Sequence, residues 1–574
     1  MKGDNISEKP ITHKLAQESY GGECRLHDET NKFSFSNRWY EKGSIIKRRN
    51  DFSRDKDRIL FSRVFRRLEH KAQVYSPEIG DHYRTRLTHT LEVSQVARSI
   101  SKYLEVNENL AEAMSLGHDL GHTPFGHQGE RVLDEIFNGT ENLGGKLKNI
   151  DYGGFKHNFQ ALRILTNLEH KSMDYEGINL TWQVLEGILK HTRTCRQGRE
   201  CIKKGKKCEN KCLGNWDINR FVNDQNLIKK LHLNYGHSVT MEGQIVQIAD
   251  EIAQRQHDLD DGLRDTSLGI KPEDLCRELI NFCDTIILEY PDCDEKELLG
   301  ELKNKLDKNF SMEHDIPKKI LYFRDIIVRD VIEYFILDVV SNTFTNISKL
   351  NPRDYKLSKK ERIVKKEVVM FSNIGKKFND MIEGYIKSKI LNSYSVNRFD
   401  GKAIFIVKQI FKAYYTNPRQ MPGYIIKNII EKTSKNFENV DIAVKKDGKE
   451  FKLSEINILE SKPEEVKIFL EFLKLNIVGD FTGSSGVETY TESDFKNIIK
   501  NRLAKGKNWG VNSKKYPEST YKIVKKVQTD MPEKELVYDL LINNNHTYLS
   551  IICDYVAGMT DNFAKEEYKK LYQV

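Results

Sequence analysis

Residues 116–130 read LGHDLGHTPFGHQGE, and this stretch constrains the chain more than any other. Fifteen residues carry three histidines, an aspartate and a glutamate, far denser in ligand-type side chains than the surroundings. His118 and Asp119 are adjacent and His122 follows His118 at i+4, so a helix would put both imidazoles on one face. Pro124 and Gly126 then interrupt, and His127 and Glu130 restart at i, i+3. A polar surface helix is the plain alternative, but such helices favour Lys, Glu and Ala over His. The stretch reads as a site.

The flanking segments supply further donors. A helix is expected over about Thr85–Leu104, where His89, Val93, Val96, Ala97, Ile100 and Leu104 form one stripe. His89 therefore faces the apolar side, where a histidine is more often a hydrogen-bonded core residue than a ligand. Short connections pack successive helices antiparallel, which can bring His89 to His118 and Asp119. Phe155–Leu168 restarts a helix with His157 near its start, and Leu180–His191 ends in Lys190 and His191. Met241–Ile252 is apolar on one side and carries Asp250 beside that stripe. It runs on into His257, Asp258, Asp260 and Asp261.

Two imidazoles and two carboxylates, His89, His118, Asp119 and Asp250, make a workable divalent-cation site with mixed N/O ligation. That donor set suits Mn, Fe, Co, Ni or Mg better than a thiolate-rich structural zinc. His127 and Glu130 form a candidate base dyad. His122, His157, Arg86 and Lys190 are cations or donors able to face an anion. No GxxxxGK[ST], GxGxxG after a strand, GxSxG or HExxH occurs, which disfavours P-loop ATPases, dinucleotide enzymes, serine hydrolases and zincins.

The order His89, His118-Asp119, Asp250 resembles the H…HD…D pattern of the HD-domain metal-dependent phosphohydrolases. The segments SRVFRRLEHKAQVY, YRTRLTHTLEVSQVAR, LGHDLGHTPFGHQGE, FKHNFQALRIL, GILKHT, QIADEIAQRQHDLDDGL and DYVAGMTDNFA together resemble the deoxyguanosine triphosphate triphosphohydrolases. The resemblance covers residues ~50–265 and touches the C-terminus. It implies metal-dependent hydrolysis of a dNTP, dGTP favoured, to deoxynucleoside and inorganic tripolyphosphate. It implies Mn2+, Mg2+, Fe2+ or Co2+ on His89, His118, Asp119 and Asp250, and catalytic His127 and Glu130 acting at the α-phosphorus. Gln73, Arg86, His122, His157 and Lys190 match positions that touch sugar or phosphates, with His122 also grouped with the catalytic residues. Asp258 matches an aspartate on the ribose 3′-hydroxyl, although Asp260 and Asp261 are rivals and one of the three can simply cap a helix. Two positions depart: Gln254 stands where the family often has Tyr, and Glu251 where vertebrate relatives have Lys. Base and sugar selectivity is thereby left open while the metal chemistry is kept. The resemblance further implies a homo-oligomer, tetramer or hexamer, and a dNTP or single-stranded DNA effector.

Composition frames this reading. Net charge is +8 over 574 residues, with 38% hydrophobic and 31% charged residues, so a folded chain with mild preference for anions is expected. The apolar stretch Ile326–Phe344 is interrupted by Arg329, Asp330, Glu333 and Asp338, so it reads as an amphipathic helix and no membrane span is expected. The absence of an apolar signal core and nine cysteines point to reduced thiols in a cytoplasm. The fold class expected is all-α with few short strands: an N-terminal arm over 1–48, an HD core over 49–265, and a helical region over 266–574 that closes the pocket and makes subunit contacts. Residues 438–455 and 480–492 read as loops, with short strands allowed.

An insert at 193–215 carries Cys195, Cys201, Cys208 and Cys212, a looser spacing than a zinc knuckle. Structural Zn2+ on the four thiolates and a flexible loop with incidental thiols are both open. From Arg193 to Lys211 the insert has eight Lys/Arg against two Glu, which suits nucleic acid or, more plainly, a solvated loop. Two rivals to the triphosphohydrolase stand: an HD phosphodiesterase or nucleotidase on other nucleotides or nucleic acid, and a nucleotide or single-strand sensor without turnover. A pure binder has no need of His127 and Glu130.

Overall fold

The computed structural model describes residues 15–17, 51–75, 83–145, 152–170, 175–192, 224–293, 295–311, 316–357, 362–434, 443–446, 449–452 and 546–573, with a few positions between them. The chain divides into two compact units, one of residues 1–130 and 155–403, the other of 131–154 and 404–574. Both are helical, and the only sheets among the described residues are two-stranded.

In the first unit, α1 (Asp51–Leu60) and α2 (Arg86–Tyr103) both pack on α3 (Glu108–Gly117). Thr85 caps α2 by accepting from the Thr88 backbone, and Thr88 reciprocates. The stripe read from sequence is the buried one: Val93, Val96, Ala97 and Ile100 on the helix, with Leu104 at its cap. Each Val, Ile or Leu side chain among them, fully buried, contributes ~1.5–3 kcal/mol. Beyond them come the start of α4 (Gly126–Phe137, whose residues from Arg131 on belong to the second unit), α5 (His157–Arg163), which continues as a π-turn to Leu168, and α6 (Trp182–Leu189).

The helix α7 (Met241–Arg264) starts at a Thr240 cap and is the unit's central element, in contact with α2, α3 and α6. Its apolar face, Ile245, Ile248, Ala249 and Ile252, is buried. On it pack α10 (Ile316–Ser348) and α11 (Asn373–Ile386), while α8 (Pro272–Glu289) and α9 (Lys296–Ser311) pack on each other. Ile326–Phe344 thus lies inside one helix, as its pattern predicts. The hairpin β1 (Tyr355–Leu357) and β2 (Arg362–Val364) pairs Tyr355 with Val364, and the Val364 amide donates to the Val239 carbonyl just ahead of α7. Of the N-terminal arm, Leu15 is buried and the Gln17 amide donates to Glu242.

In the second unit, α12 (Tyr394–Thr416, whose later residues belong here) is followed by α13 (Gly423–Ser434), the strands β3 (Ala443–Lys446) and β4 (Lys449–Lys452), α14 (His546–Ala557) and α15 (Asp561–Tyr572). Tyr548 donates its hydroxyl to the carbonyls of Tyr414 and Tyr415, and the Tyr414 hydroxyl reaches Glu567. The insert with Cys195, Cys201, Cys208 and Cys212, the segment 480–492 and most of residues 1–48 lie outside the described residues.

The helical reading of His118–His122 is corrected: α3 ends at Gly117 and turns follow. Gly117 sits so close to Ile188 that a Cβ there would fall 2.4 Å from its Cδ1. The chain turns at this contact, with the amides of Leu120 and His122 donating to the carbonyls of Gly117 and Asp119.

Candidate active site

Four short excursions at helix ends, and two long helices, deliver the polar groups to one side of the first unit. His89 comes from α2, His118, Asp119 and His122 from the turn after α3, and Glu130 from α4. His157 opens α5, His191 follows α6, and Asp250 and Asp258 lie on α7. All but Asp250, which is partly open, are buried.

Nε2 of His89 lies 3.0 Å from Oδ1 of Asp250, 3.4 Å from Nε2 of His118 and 3.9 Å from Oδ2 of Asp119. Nε2 of His118 lies 3.4 Å from Asp119 and 3.6 Å from Asp250. Ligands at about 2.0–2.2 Å from one ion stand at this sort of mutual spacing. The orientation of the rings agrees. Nδ1 of His118 is 2.6 Å from the Ser115 carbonyl, which can only accept, so that nitrogen carries the proton. His257 is hydrogen-bonded to Glu92 through Nε2, and its Nδ1 lies 3.0 Å from Nδ1 of His89. With His257 donating to the carboxylate, its Nδ1 accepts from His89. Both His89 and His118 then present an Nε2 lone pair toward the carboxylates. Two carboxylates and two such lone pairs converging without a cation would repel, so the residues fit a divalent metal.

The electrostatics are those of an anion-rich cluster held ionised. Burial works against the charge on Asp119, yet His118, His122 and Arg86 hold its carboxyl well below the usual range. Burial also opposes ionised Asp250, and the neighbouring His89 and His118 outweigh it. His122 is pushed down by burial and by Arg86 and His157.

Beside this cluster Glu130 joins a second set of rings. Its Oε2 lies 2.6 Å from Nδ1 of His157 and 4.0 Å from those of His122 and His127, and Lys156 reaches Oε1 at 3.1 Å. The hydrogen-bonded partner of Glu130 is therefore His157; His127, paired with it by spacing, is 66% exposed and keeps its Nδ1 at 4.0 Å from the carboxylate. The rings of His122 and His157 stack at 3.9 Å.

The expected substrate contacts divide. Gln73 Oε1, Arg86 Nε and Nη2, His122 Nδ1 and Asp258 Oδ1 are buried and have no hydrogen-bond partner among the described residues. Buried polar atoms are almost always satisfied, so such atoms point to an absent ligand. Asp260 and Asp261, the rivals of Asp258, are both held by Arg84, at 2.6 and 2.9 Å. Burial pushes Asp258 up to about 7. Lys190 goes the other way. It is fully buried, pairs with Glu186 at 2.8 Å and donates to the His232 carbonyl, so it does not face the cluster. Its neighbour does: Nε2 of His191 lies 3.2 Å from that of His157. His191, His257 and Glu92 are given no role by the sequence reading. The resemblance falls on the adjacent Lys190, and Glu92 looks like any surface acid of a helix.

A Geobacter metallireducens protein named deoxyguanosinetriphosphate triphosphohydrolase-like is 34% identical over 371 residues, 65% of this chain and 79% of the relative. Proteins of the same name from Nitrobacter hamburgensis (33% over 387 residues, 66% of this chain and 81% of the relative) and Rickettsia bellii (34% over 376 residues, 65% and 82%) are similar too. The chain belongs to this deoxyguanosinetriphosphate triphosphohydrolase-like family. Residues 86–255 match the HD domain, the span that carries His89, His118, Asp119 and Asp250. Residues 525–570 match the phosphohydrolase-associated domain. The family is one of phosphohydrolases, and its HD domain is a divalent-metal-binding class. No helix among the described residues is long and apolar enough to cross a membrane.

Proposed function

We propose that the protein hydrolyses deoxynucleoside triphosphates, dGTP favoured, to deoxynucleoside and inorganic tripolyphosphate. The observation that carries this is the convergence of His89, His118, Asp119 and Asp250 beside Arg86, whose Nε and Nη2 are buried without partners. Phosphate oxygens are the natural acceptors for a guanidinium so placed.

The four donors would hold Mn2+, Mg2+, Fe2+ or Co2+, which when bound would polarise a phosphoryl oxygen and lower the pKa of water. Water oxygen adds to the α-phosphorus, the bond from phosphorus to the 5′-oxygen breaks, and that oxygen leaves protonated on the deoxynucleoside. His127, the open imidazole, is the group placed to handle that proton. Glu130 fixes His157 through the 2.6 Å hydrogen bond and sets the charge around His122 and His127. Arg86, His122 and Gln73 take phosphate and sugar oxygens, and Asp258, its proton held by burial, meets the ribose hydroxyl. Glu251 accepts from Asn379 at 2.8 Å and, as a carboxylate, offers phosphate no donor.

Incubating the purified chain with each dNTP and Mn2+ or Mg2+, with and without a second dNTP or single-stranded DNA, and separating products by ion exchange tests the reading. Tripolyphosphate with free deoxynucleoside is expected. Monophosphate with pyrophosphate would replace it with a phosphodiesterase-type reaction, and no turnover under any condition with a sensor.

A further inference from the structure

Three residues outside the four metal donors form a chain of side chains that ends on one of them. Glu92 follows His89 at i, i+3 on α2, so the two share a face, and α7 brings His257 against both. Nε2 of His257 is hydrogen-bonded to the Glu92 carboxylate, and its Nδ1 lies 3.0 Å from Nδ1 of His89, the two rings meeting edge to face at 4.7 Å. An ionised carboxylate only accepts, so the His257 nitrogen facing it carries a proton. The ring is buried, and burial holds it neutral, its pKa pushed down to about 4. Its single proton is therefore engaged by Glu92, and Nδ1 is left as an acceptor for the Nδ1 proton of His89. The lone pair of His89 then stands on Nε2, the atom 3.0 Å from Asp250 and 3.4 Å from His118. Glu92 is fixed in turn. Nε of Arg84 donates to both its oxygens, at 3.2 and 3.3 Å, while Nη1 of the same guanidinium holds Asp260 and Asp261 of α7 at 2.6 and 2.9 Å. One arginine thus ties the acid on α2 to the helix that carries its imidazole partner.

We propose that Glu92 is a positioning residue for the metal ligand His89, acting through His257, with Arg84 holding the carboxylate in place. Without an acceptor at position 92, His257 is free to carry its proton on Nδ1. That tautomer turns a donor on His89, whose own proton then moves to Nε2 and faces the cation. Neither Glu92 nor His257 belongs to the four donors, so their effect falls on metal affinity first and on turnover through it. Outer partners of this kind are worth roughly 10–100-fold in metal affinity. The proposal rests on the reading that His89, His118, Asp119 and Asp250 hold a divalent cation.

The test is the Mn2+ affinity of the full chain, read from the electron spin resonance of free Mn2+, at the site that Asp250→Asn removes. Glu92→Leu and His257→Phe should each weaken binding roughly 10–100-fold. The double variant should bind no more weakly than the worse single one, because both changes act through the same tautomer. Unchanged affinity in folded Glu92→Leu, or losses that multiply in the double variant, would overturn the proposal. A wild type without an Asp250-dependent Mn2+ site would overturn the metal reading, and the proposal with it. Circular dichroism reports whether the variants fold. Neutron diffraction from metal-free wild-type crystals gives a second readout that needs no variant. Deuterium is expected on Nε2 of His257 and on Nδ1 of His89, and deuterium on Nδ1 of His257 would overturn the proposal.

Discussion

Nη1 of Arg86 lies 2.6 Å from Oδ2 of Asp119, and both groups are buried. The contact couples the metal cluster to the residue placed for phosphate, so the aspartate answers to both. Asp119→Ala should abolish metal binding and turnover together. It should also leave Arg86 as an unpaired buried charge, which typically costs about 3–5 kcal/mol. Calorimetric Mn2+ titration and urea unfolding of the variant check both halves. Retained metal binding would remove Asp119 from the ligand set.

Glu130 makes a different prediction, since it touches rings and not the four donors. Glu130→Gln should keep the ion on His89, His118, Asp119 and Asp250 while turnover falls roughly 10²–10⁴-fold, the range of acid–base contributions. Because Glu130 works through His157, the same change in a His157→Asn background should cost far less than in the wild type. Steady-state kinetics of the single and double variants measure it, and full additivity would separate the two residues.

Lys190 is predicted to matter for folding and not for substrate. Lys190→Met leaves Glu186 ionised inside the protein with only Ser238 and Val239 donating to it, and should destabilise by about 3–5 kcal/mol. Adding Glu186→Gln should recover much of that, since an uncharged pair needs no counter-ion. KM at a temperature where Lys190→Met is folded should match the wild type. A raised KM would return Lys190 to the phosphate-binding group.

How far these roles were legible follows from the range of the interactions involved. His89, His118, Asp119 and Asp250 are spread over 162 positions but carry a spaced pattern of rare residue types, and the apolar stripes that orient α2 and α7 are local. The turn after Gly117 depends on Ile188, some seventy residues on, and helical spacing cannot show it. The inward turn of Lys190 has a local cue: Glu186 precedes it at i−4 on the largely apolar WQVLEGILK, a pattern for a buried pair. His191 gave no such cue, because what orients its ring is the Ile188 backbone carbonyl. The pairing of Glu130 with His157 over His127 likewise depends on where α5 begins, not on i, i+3 spacing.

Glu242 predicts a pH dependence of stability. Its carboxylate accepts from the amides of Gln17 and Asn107 through Oε1, but burial dominates and pushes it from 4.5 up to about 7. A carboxyl whose folded pKa is raised binds its proton more tightly when folded, so the folded state is penalised above the unfolded pKa. That penalty grows from about pH 4.5 to about 7, is constant above, and amounts to roughly 3 kcal/mol. Relative to Glu242→Gln, the wild type should therefore gain stability as pH falls from 8 to 4.5. Urea unfolding of both proteins across that interval measures the difference; parallel curves would contradict it.

A Cβ at Gly121 would fall 1.9 Å from the His157 carbonyl oxygen, and one at Gly126, whose φ is +58°, 2.6 Å from Nη2 of Arg86. Neither glycine offers a functional group, yet each fills the space against which a reactive side chain is set. In a saturation library scored by activity, these two positions would tolerate as little as the histidines themselves. A genetic map of the site would thus include residues with no chemistry of their own, and their intolerance would measure the fit between neighbouring segments.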